Sequence, residues 1–252
     1  MDGSLNSFIV SKHPQPEPLA TSQEIRDRGS TFVANIYSAT TPDEANSRVE
    51  YLKHLVHRSK PASHEIAAWR CMVLKQGQTG LKGPEDFELK QGSKDDGENW
   101  AGSKVLKVMQ NLAIIDAVVI VSRWYVSCIY QCLFPCPERK PYRYGGTLLG
   151  PARFTHIETC ASEVCREFKR SEELRECITT LQTLDDLLIT LRAQLASLTT
   201  QSSTTSSSIL ERNSKKPDYK SMDIVKAKRL IQARENSLKS VKALIAKNSN
   251  GS

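Results

Sequence analysis

The stretch Ile115-Asp116-Ala117-Val118-Val119-Ile120-Val121-Ser122-Arg123-Trp124 decides the fold class. It is rich in β-branched residues and apolar at every position from Ala117 to Val121, so it predicts a central strand buried on both faces. The longest apolar run, Ala113 to Val121, is broken by Asp116 and stops before Arg123. That is far short of the roughly 18 residues of a membrane span, so no membrane partner is expected. A strand of this kind needs strands beside it and helices over it, and the flanking sequence supplies both.

Upstream, Ser30 to Ser38 alternates around Phe32, Ala34 and Ile36 and predicts a half-buried strand. Thr41 then caps a helix with Pro42 at its first position and Asp43 and Glu44 in its first turn, running to about His57 with Val49, Leu52 and Val56 on one face. Glu65 to Leu74 reads as a second strand. Lys75 to Lys94, with four glycines and Pro84, reads as a long exposed loop. Ala101 to Leu112 predicts a helix with Val105, Leu106, Met109 and Leu112 on one face. The order strand, helix, strand, loop, helix, strand, helix implies a two-layer α+β domain over residues 23–173.

Pro151 opens a long helical stretch in which Phe154, Ile157, Cys160, Ala161, Val164 and Phe168 repeat at three to four residues and should pack on the sheet. From Leu174 the period becomes seven. Leu174, Leu181, Leu188 and Leu195 share one position, and Cys177, Leu184, Leu191 and Leu198 the other, which predicts a heptad helix over 174–198. A Ser/Thr-rich linker over 199–222 leads to a basic amphipathic helix over 223–247, where Ile224, Ile231, Leu238 and Ile245 repeat the seven-residue spacing with Val241 beside them. The two heptad helices can fold on each other within one chain or self-associate between chains.

The chain has 252 residues and a formal net charge of +7. Ten of its 35 basic residues but three of its 28 acidic ones lie from Lys215 onward, so the body is neutral and the tail basic. Lys226, Lys228, Arg229, Arg234, Lys239 and Lys242 can meet RNA, an acidic protein surface or anionic lipid, or simply solvate a helix face. Residues 1–22, with Pro14, Pro16 and Pro18, read as a disordered leader without the basic and apolar regions of a secretion signal. The seven cysteines are an odd count in a chain of this kind and read as reduced thiols, which points to a cytoplasmic protein.

Five strings carry the chemistry: Asp27-Arg28-Gly29-Ser30-Thr31-Phe32-Val33-Ala34; Ala62-Ser63-His64-Glu65-Ile66; Asp95-Asp96-Gly97-Glu98 with Ala101-Gly102-Ser103; Ser122-Arg123-Trp124-Tyr125; and Tyr144-Gly145-Gly146-Thr147-Leu148-Leu149-Gly150-Pro151-Ala152-Arg153-Phe154. Asp95, Asp96 and Glu98 at a loop-to-helix junction suit either Mg²⁺ and acid–base work or, more plainly, helix capping and a turn. His64 suits a general base or phosphate contact, or a hydrogen-bonded structural role. Gly145 and Gly146 before a helix resemble an anion cradle without the Lys-Ser/Thr of a P-loop, or a tight strand-to-helix turn. Arg123 and Arg153, with Trp124 and Tyr144 as stacking surfaces, offer the pairing that RNA contact wants; the plain alternative is a core Trp with solvated arginines. Cys128, Cys132 and Cys136 lack the paired spacing of a zinc site. No Ser-His-Asp, nucleophile-elbow or Cys-His signature is present, so neither an enzyme, a cofactor nor a metal is the first expectation.

Taken in order over Glu24 to Lys169, these strings resemble the IMPACT family of translation-control proteins (the UPF0029 domain) and its bacterial YigZ-type relatives. The resemblance implies the fold of the second domain of ribosomal protein S5, with helices on one face of a mostly antiparallel sheet. It also implies a regulator that restrains the general amino-acid control pathway by competing for the ribosome-associated activator of the initiation-factor-2α kinase. The 23 residues before Glu24 are too few for the RWD domain of animal and yeast members, which makes this a fungal-like pattern without it. Leu-heptad helices stand where bacterial relatives have a ferredoxin-like domain, so a ribosome or RNA role for the basic tail becomes a second expectation, and a small-molecule or phosphate enzyme at His64, Asp96 and Gly146 a third.

The family runs Arg-Trp-Tyr-Gly-Gly unbroken, whereas Val126 to Tyr144 separates Tyr125 from Gly145 here. Deleting residues 125–143 restores the unbroken string, and the genetic code permits TGG TAT GTN for Trp124-Tyr125-Val126 and AGG TAY for Arg143-Tyr144, which contain a splice donor and acceptor. Residues 125–143 therefore read as a translated, unspliced intron. Peptide mapping of the native protein should recover nothing from Cys128 to Lys140; one such peptide would refute the reading.

Overall fold

The computed structural model describes residues 15–125, 149–200, 218–219 and 222–249. The chain divides into two units, Met1–Lys169 and Arg170–Ser252. The first is an α+β domain around an antiparallel sheet: β1 (Ala20–Thr21), β2 (Ile25–Asp27), β3 (Ser30–Ser38), β4 (His64–Leu74), β5 (Phe87–Lys94) and β6 (Ala117–Tyr125), in the order β1-β3-β6-β4-β5 with β2 also on β3. As its composition requires, β6 is central: it pairs with β3 from Ser30↔Tyr125 to Ser38↔Ala117 and with β4 from His64↔Arg123 to Arg70↔Ala117.

Alternation then sorts the side chains. Phe32, Ala34, Ile36, Ile66, Ala68, Val119 and Val121 face one way, against Ala101, Val105 and Met109 of α2 (Ala101–Asn111) and Ile157, Ala161, Val164 and Cys165 of α3 (Ala152–Thr200). Tyr37, Ala67, Cys71, Val118 and Ile120 face the other way, against Ala45, Val49 and Leu52 at α1 (Pro42–Tyr51). Helix α1 thus adds a layer on the face that a two-layer reading leaves open. Its start is the expected one: the Thr41 side chain accepts from the Glu44 N–H, and Pro42 stands in the first turn. Its end loosens into a π-helical turn over Leu52–Val56.

Two stretches differ from the sequence reading. Residues 1–22 were expected to be a leader, yet β1 lies inside them: the N–H groups of Leu19 and Ser22 donate to Ile36 and Ala34 carbonyls, and the Ser22 hydroxyl accepts from the Ala34 N–H. The loop over Lys75–Lys94 contains β5, which pairs with β4 from Ala67↔Lys94 to Leu74↔Phe87. Its glycine fits that place because the Trp69 indole lies over Gly92, where a Cβ would stand 2.5 Å from the ring.

Helix α3 gives its residues to Lys169 to the first unit and the remainder to the second. In the second unit the heptad positions face α4 (Ile224–Ser249): Cys177, Leu181, Tyr219 and Ala227 are buried together, with Leu174, Ile178, Met222, Leu230 and Ile231 beside them. The ion pairs Arg170–Asp223, Glu173–Lys228 and Asp185–Arg234 advance together along both helices, so the pair is parallel. Tyr219, expected in the linker, is buried in the seam with its hydroxyl on the Asp185 carboxylate, and Arg234 on the same carboxylate.

Candidate functional site

All five strings contribute to one end of the sheet. Register puts His64 beside Arg123 and Phe32 on the other side of Arg123. The turn after β5 brings Glu98 in from the start of α2, and the start of α3 brings Arg153. The buried Glu98 carboxylate takes the Arg123 guanidinium on Oε1, Arg153 Nε at 2.9 Å on Oε2, and His64 Nε2 at 3.5 Å. Arg123 also donates to the Ser30 hydroxyl at 3.1 Å and lies between the Phe32 and Tyr125 rings, each 5.4 Å away. Burial, with Arg153 adding repulsion, pulls the Arg123 guanidinium below its ordinary pKa. One carboxylate here serves two arginines, so the cluster keeps a surplus positive charge.

The three carboxylates of the acidic string diverge. Asp95 accepts the N–H groups of Trp100 at 3.0 Å and Gly102 at 2.7 Å, capping α2 from outside it. Asp96 accepts the Glu65 N–H at 2.8 Å and pairs with Lys53, while its carbonyl accepts from His64 Nδ1 at 2.8 Å. Gly97 is needed at φ +90°, and a Cβ there would stand 3.2 Å from the His64 ring. Gly102 is needed too, since its Cβ would fall 2.9 Å from both the Asp95 carboxylate and the Lys94 carbonyl. This is capping and turn geometry. Among the described residues no group of three His, Cys, Asp or Glu side chains could hold a metal ion.

A second buried network lies beside the first and was not singled out in the sequence. Glu65 accepts from the Ser122 hydroxyl at 2.5 Å and faces His57 Nδ1 at 2.6 Å. The hydroxyl is bonded to the acid and not to the imidazole, so His57 is not placed to take its proton, as a Ser-His-acid triad requires. Only the alternation of β4 and β6 hints at this pair, because Glu65 and Ser122 fall opposite each other.

Trp124 is not a free stacking surface. Its indole N–H donates to the Lys60 carbonyl at 3.0 Å, its ring meets His57 edge-on at 4.9 Å, and the Lys60 ammonium lies 5.6 Å over it. The exposed indole is instead Trp100, 75% accessible and held at φ 72° by the Asp95 cap. Tyr144, Gly145 and Gly146 lie outside the described residues, as do Cys128, Cys132, Cys136 and residues 126–143. In the tail, Lys228 pairs with Glu173 at 2.5 Å and Arg234 with Asp185 at 2.6 Å. Lys226, Arg229, Lys239 and Lys242 are exposed and make no ion pair among the described residues. No helix among the described residues is long and apolar enough to cross a membrane.

Residues 28–128 match the family model described as the Impact N-terminal domain. Protein IMPACT of Mus musculus is 33% identical over 165 residues, covering 63% of this chain and 42% of the mouse protein. The Protein IMPACT homolog of Saccharomyces cerevisiae is 30% identical over 147 residues, 58% of this chain and 45% of the yeast protein. A solved structure described as the two-domain translational regulator Yih1 aligns with a TM-score of 0.32 at 30% identity, over 57% of this chain and 44% of that one. The chain therefore spans less than half the length of these curated relatives.

Proposed function

We propose that this chain, whose α+β domain belongs to the IMPACT family, is a regulator of translation initiation under stress. It acts by binding a protein partner or the ribosome so as to restrain the general amino-acid control initiation-factor-2α kinase pathway. The observation that carries this reading is the family match over residues 28–128, which includes the acidic turn and Arg123. The geometry supports binding over catalysis. Asp95, Asp96, Glu98 and Glu65 are each committed to holding backbone or side chains in place. What they hold outward is a rigid turn with Asn99 and Trp100 exposed, the form of a preorganised contact surface. The binding surface is that turn together with His64 and the cationic Arg123–Arg153 end of the sheet, acting on the kinase activator by mass action at a shared site. In amino-acid-starved cells, supplying the full chain should lower phosphorylation of the initiation-factor-2 α subunit; unchanged phosphorylation at high expression would overturn the reading.

A ribosomal RNA contact by α4 is the second reading, favoured by the four exposed cations Lys226, Arg229, Lys239 and Lys242, which make no ion pair among the described residues. Phosphate contacts release counterions, so such binding weakens steeply with salt. The full chain should then co-sediment with ribosomes at low salt and leave them at high salt. Changing all four residues to glutamine should remove the low-salt association. Co-sedimentation indifferent to both salt and these changes would refute the RNA contact.

A further inference from the structure

β5 is the last strand of the sheet, and among the described residues no strand pairs with its outer side and no backbone hydrogen bond reaches that edge. Two bonds fix which of its backbone groups point outward. The Lys75 N–H donates to the Asp86 carbonyl, so 75 and 86 form a hydrogen-bonded pair just beyond the ladder. The Met72 N–H donates to the Asp116 carboxylate, away from β5, so Met72↔Leu89 is a non-hydrogen-bonded pair. By the antiparallel alternation, Phe87, Leu89 and Gln91 then turn their own N–H and C=O groups to the open edge.

The same hairpin carries the densest cluster of exposed large apolar side chains. Met72, Leu74, Phe87 and Leu89 are cross-strand neighbours on one face, each between 38% and 45% accessible, and Leu81 at the hairpin tip is 89% accessible. The opposite face of the edge strand carries Glu88 and Lys90.

We propose that β5 is a homodimer interface, pairing antiparallel with β5 of a second copy about a twofold axis at Leu89. The register follows from the residues. Leu89 opposes Leu89, and Phe87 opposes Gln91 twice, all through the outward backbone groups, giving about six hydrogen bonds. Glu88 then opposes Lys90 twice, as non-hydrogen-bonded pairs in which side chains are closest and opposite charges stabilise. The two apolar faces become neighbours, and the unpaired sheet edge disappears. Moving the axis two residues toward Lys94, to Gln91, shifts the pairing by four residues, loses the Leu89 pair and puts Lys90 opposite Gly92.

The full chain should show a reversible monomer–dimer equilibrium in analytical ultracentrifugation. E88K alone or K90E alone places like charges opposite each other twice and should weaken dimerisation about tenfold, while the double exchange E88K/K90E should restore it. Leu89→Pro should abolish the dimer. Because the Leu89 N–H points away from β4, proline removes no bond of the β4–β5 ladder, and circular dichroism should report a folded monomer. A chain that stays monomeric to millimolar concentration overturns the proposal. So does a dimer unaffected by Leu89→Pro, or one in which the double exchange is no better than either single change, because its seam then lies elsewhere, as in the heptad helices.

Discussion

Replacing Glu98 by alanine should destabilise the α+β domain by about 3–5 kcal/mol, the cost of removing one partner from a buried ion pair and leaving the other. Glu98 is 6% accessible and, among the described residues, is the only acid paired to either Arg123 or Arg153. Without it two guanidinium groups face each other, with the Ser30 hydroxyl as the one side-chain acceptor of Arg123 among the described residues. Glu98→Gln should cost less, since an amide oxygen still accepts but one neutral group replaces the charge shared by two arginines. The double change Glu98→Leu with Arg123→Met should recover much of the loss, because the Phe32 and Tyr125 rings already flank the Arg123 side-chain end with aromatic surface. Chemical denaturation of the three variants checks the order. If Glu98→Ala unfolds at the wild-type midpoint, the cluster is solvated and the account of the site is wrong.

How far such a cluster can be read from sequence depends on which kind of signal carries each part. β3 spans Ser30–Ser38 as its alternation predicts, and Thr41 caps α1, because both signals are local and strong. β5 was not legible. It lies at the edge, carries two apolar residues and a glycine, and owes its extended form to β4 and to Trp69 lying over Gly92. Glu98 was legible as a charged residue at a helix start, but two arginines far along the chain decide that it is a counter-ion. Trp124 and Trp100 show the same limit from the other side. Composition offered Trp124 as a stacking ring, yet the Lys60 carbonyl and His57 claim it, while the unremarked Trp100 is the exposed one. Period seven announced a seam without its direction or partner, and the ion pairs that show both join residues far apart in the sequence.

That seam gives the second large effect. Leu181→Ala should destabilise the α3–α4 pair by about 2–5 kcal/mol, since Leu181 is fully buried beside Cys177, Tyr219 and Ala227 and its truncation leaves a cavity. The ion pairs cannot compensate: Lys228–Glu173 is mostly exposed and is worth little. Most helical stability in proteins comes from packing of an amphipathic face and not from propensity, so loss of the seam should melt α4 and not merely loosen it. Limited proteolysis should therefore cleave the Leu181→Ala chain within 224–249 much faster than the parent. Leu187→Ala, at an exposed position of the same helix, should change cleavage little. The α+β domain should melt at an unchanged temperature in both, because its core draws on α3 only as far as Phe168. If α4 binds RNA as a folded helix, Leu181→Ala should also weaken low-salt ribosome association with every basic residue intact. Association at full strength would mean that Lys226, Arg229, Lys239 and Lys242 act as unstructured charge, and that the heptad seam serves another purpose.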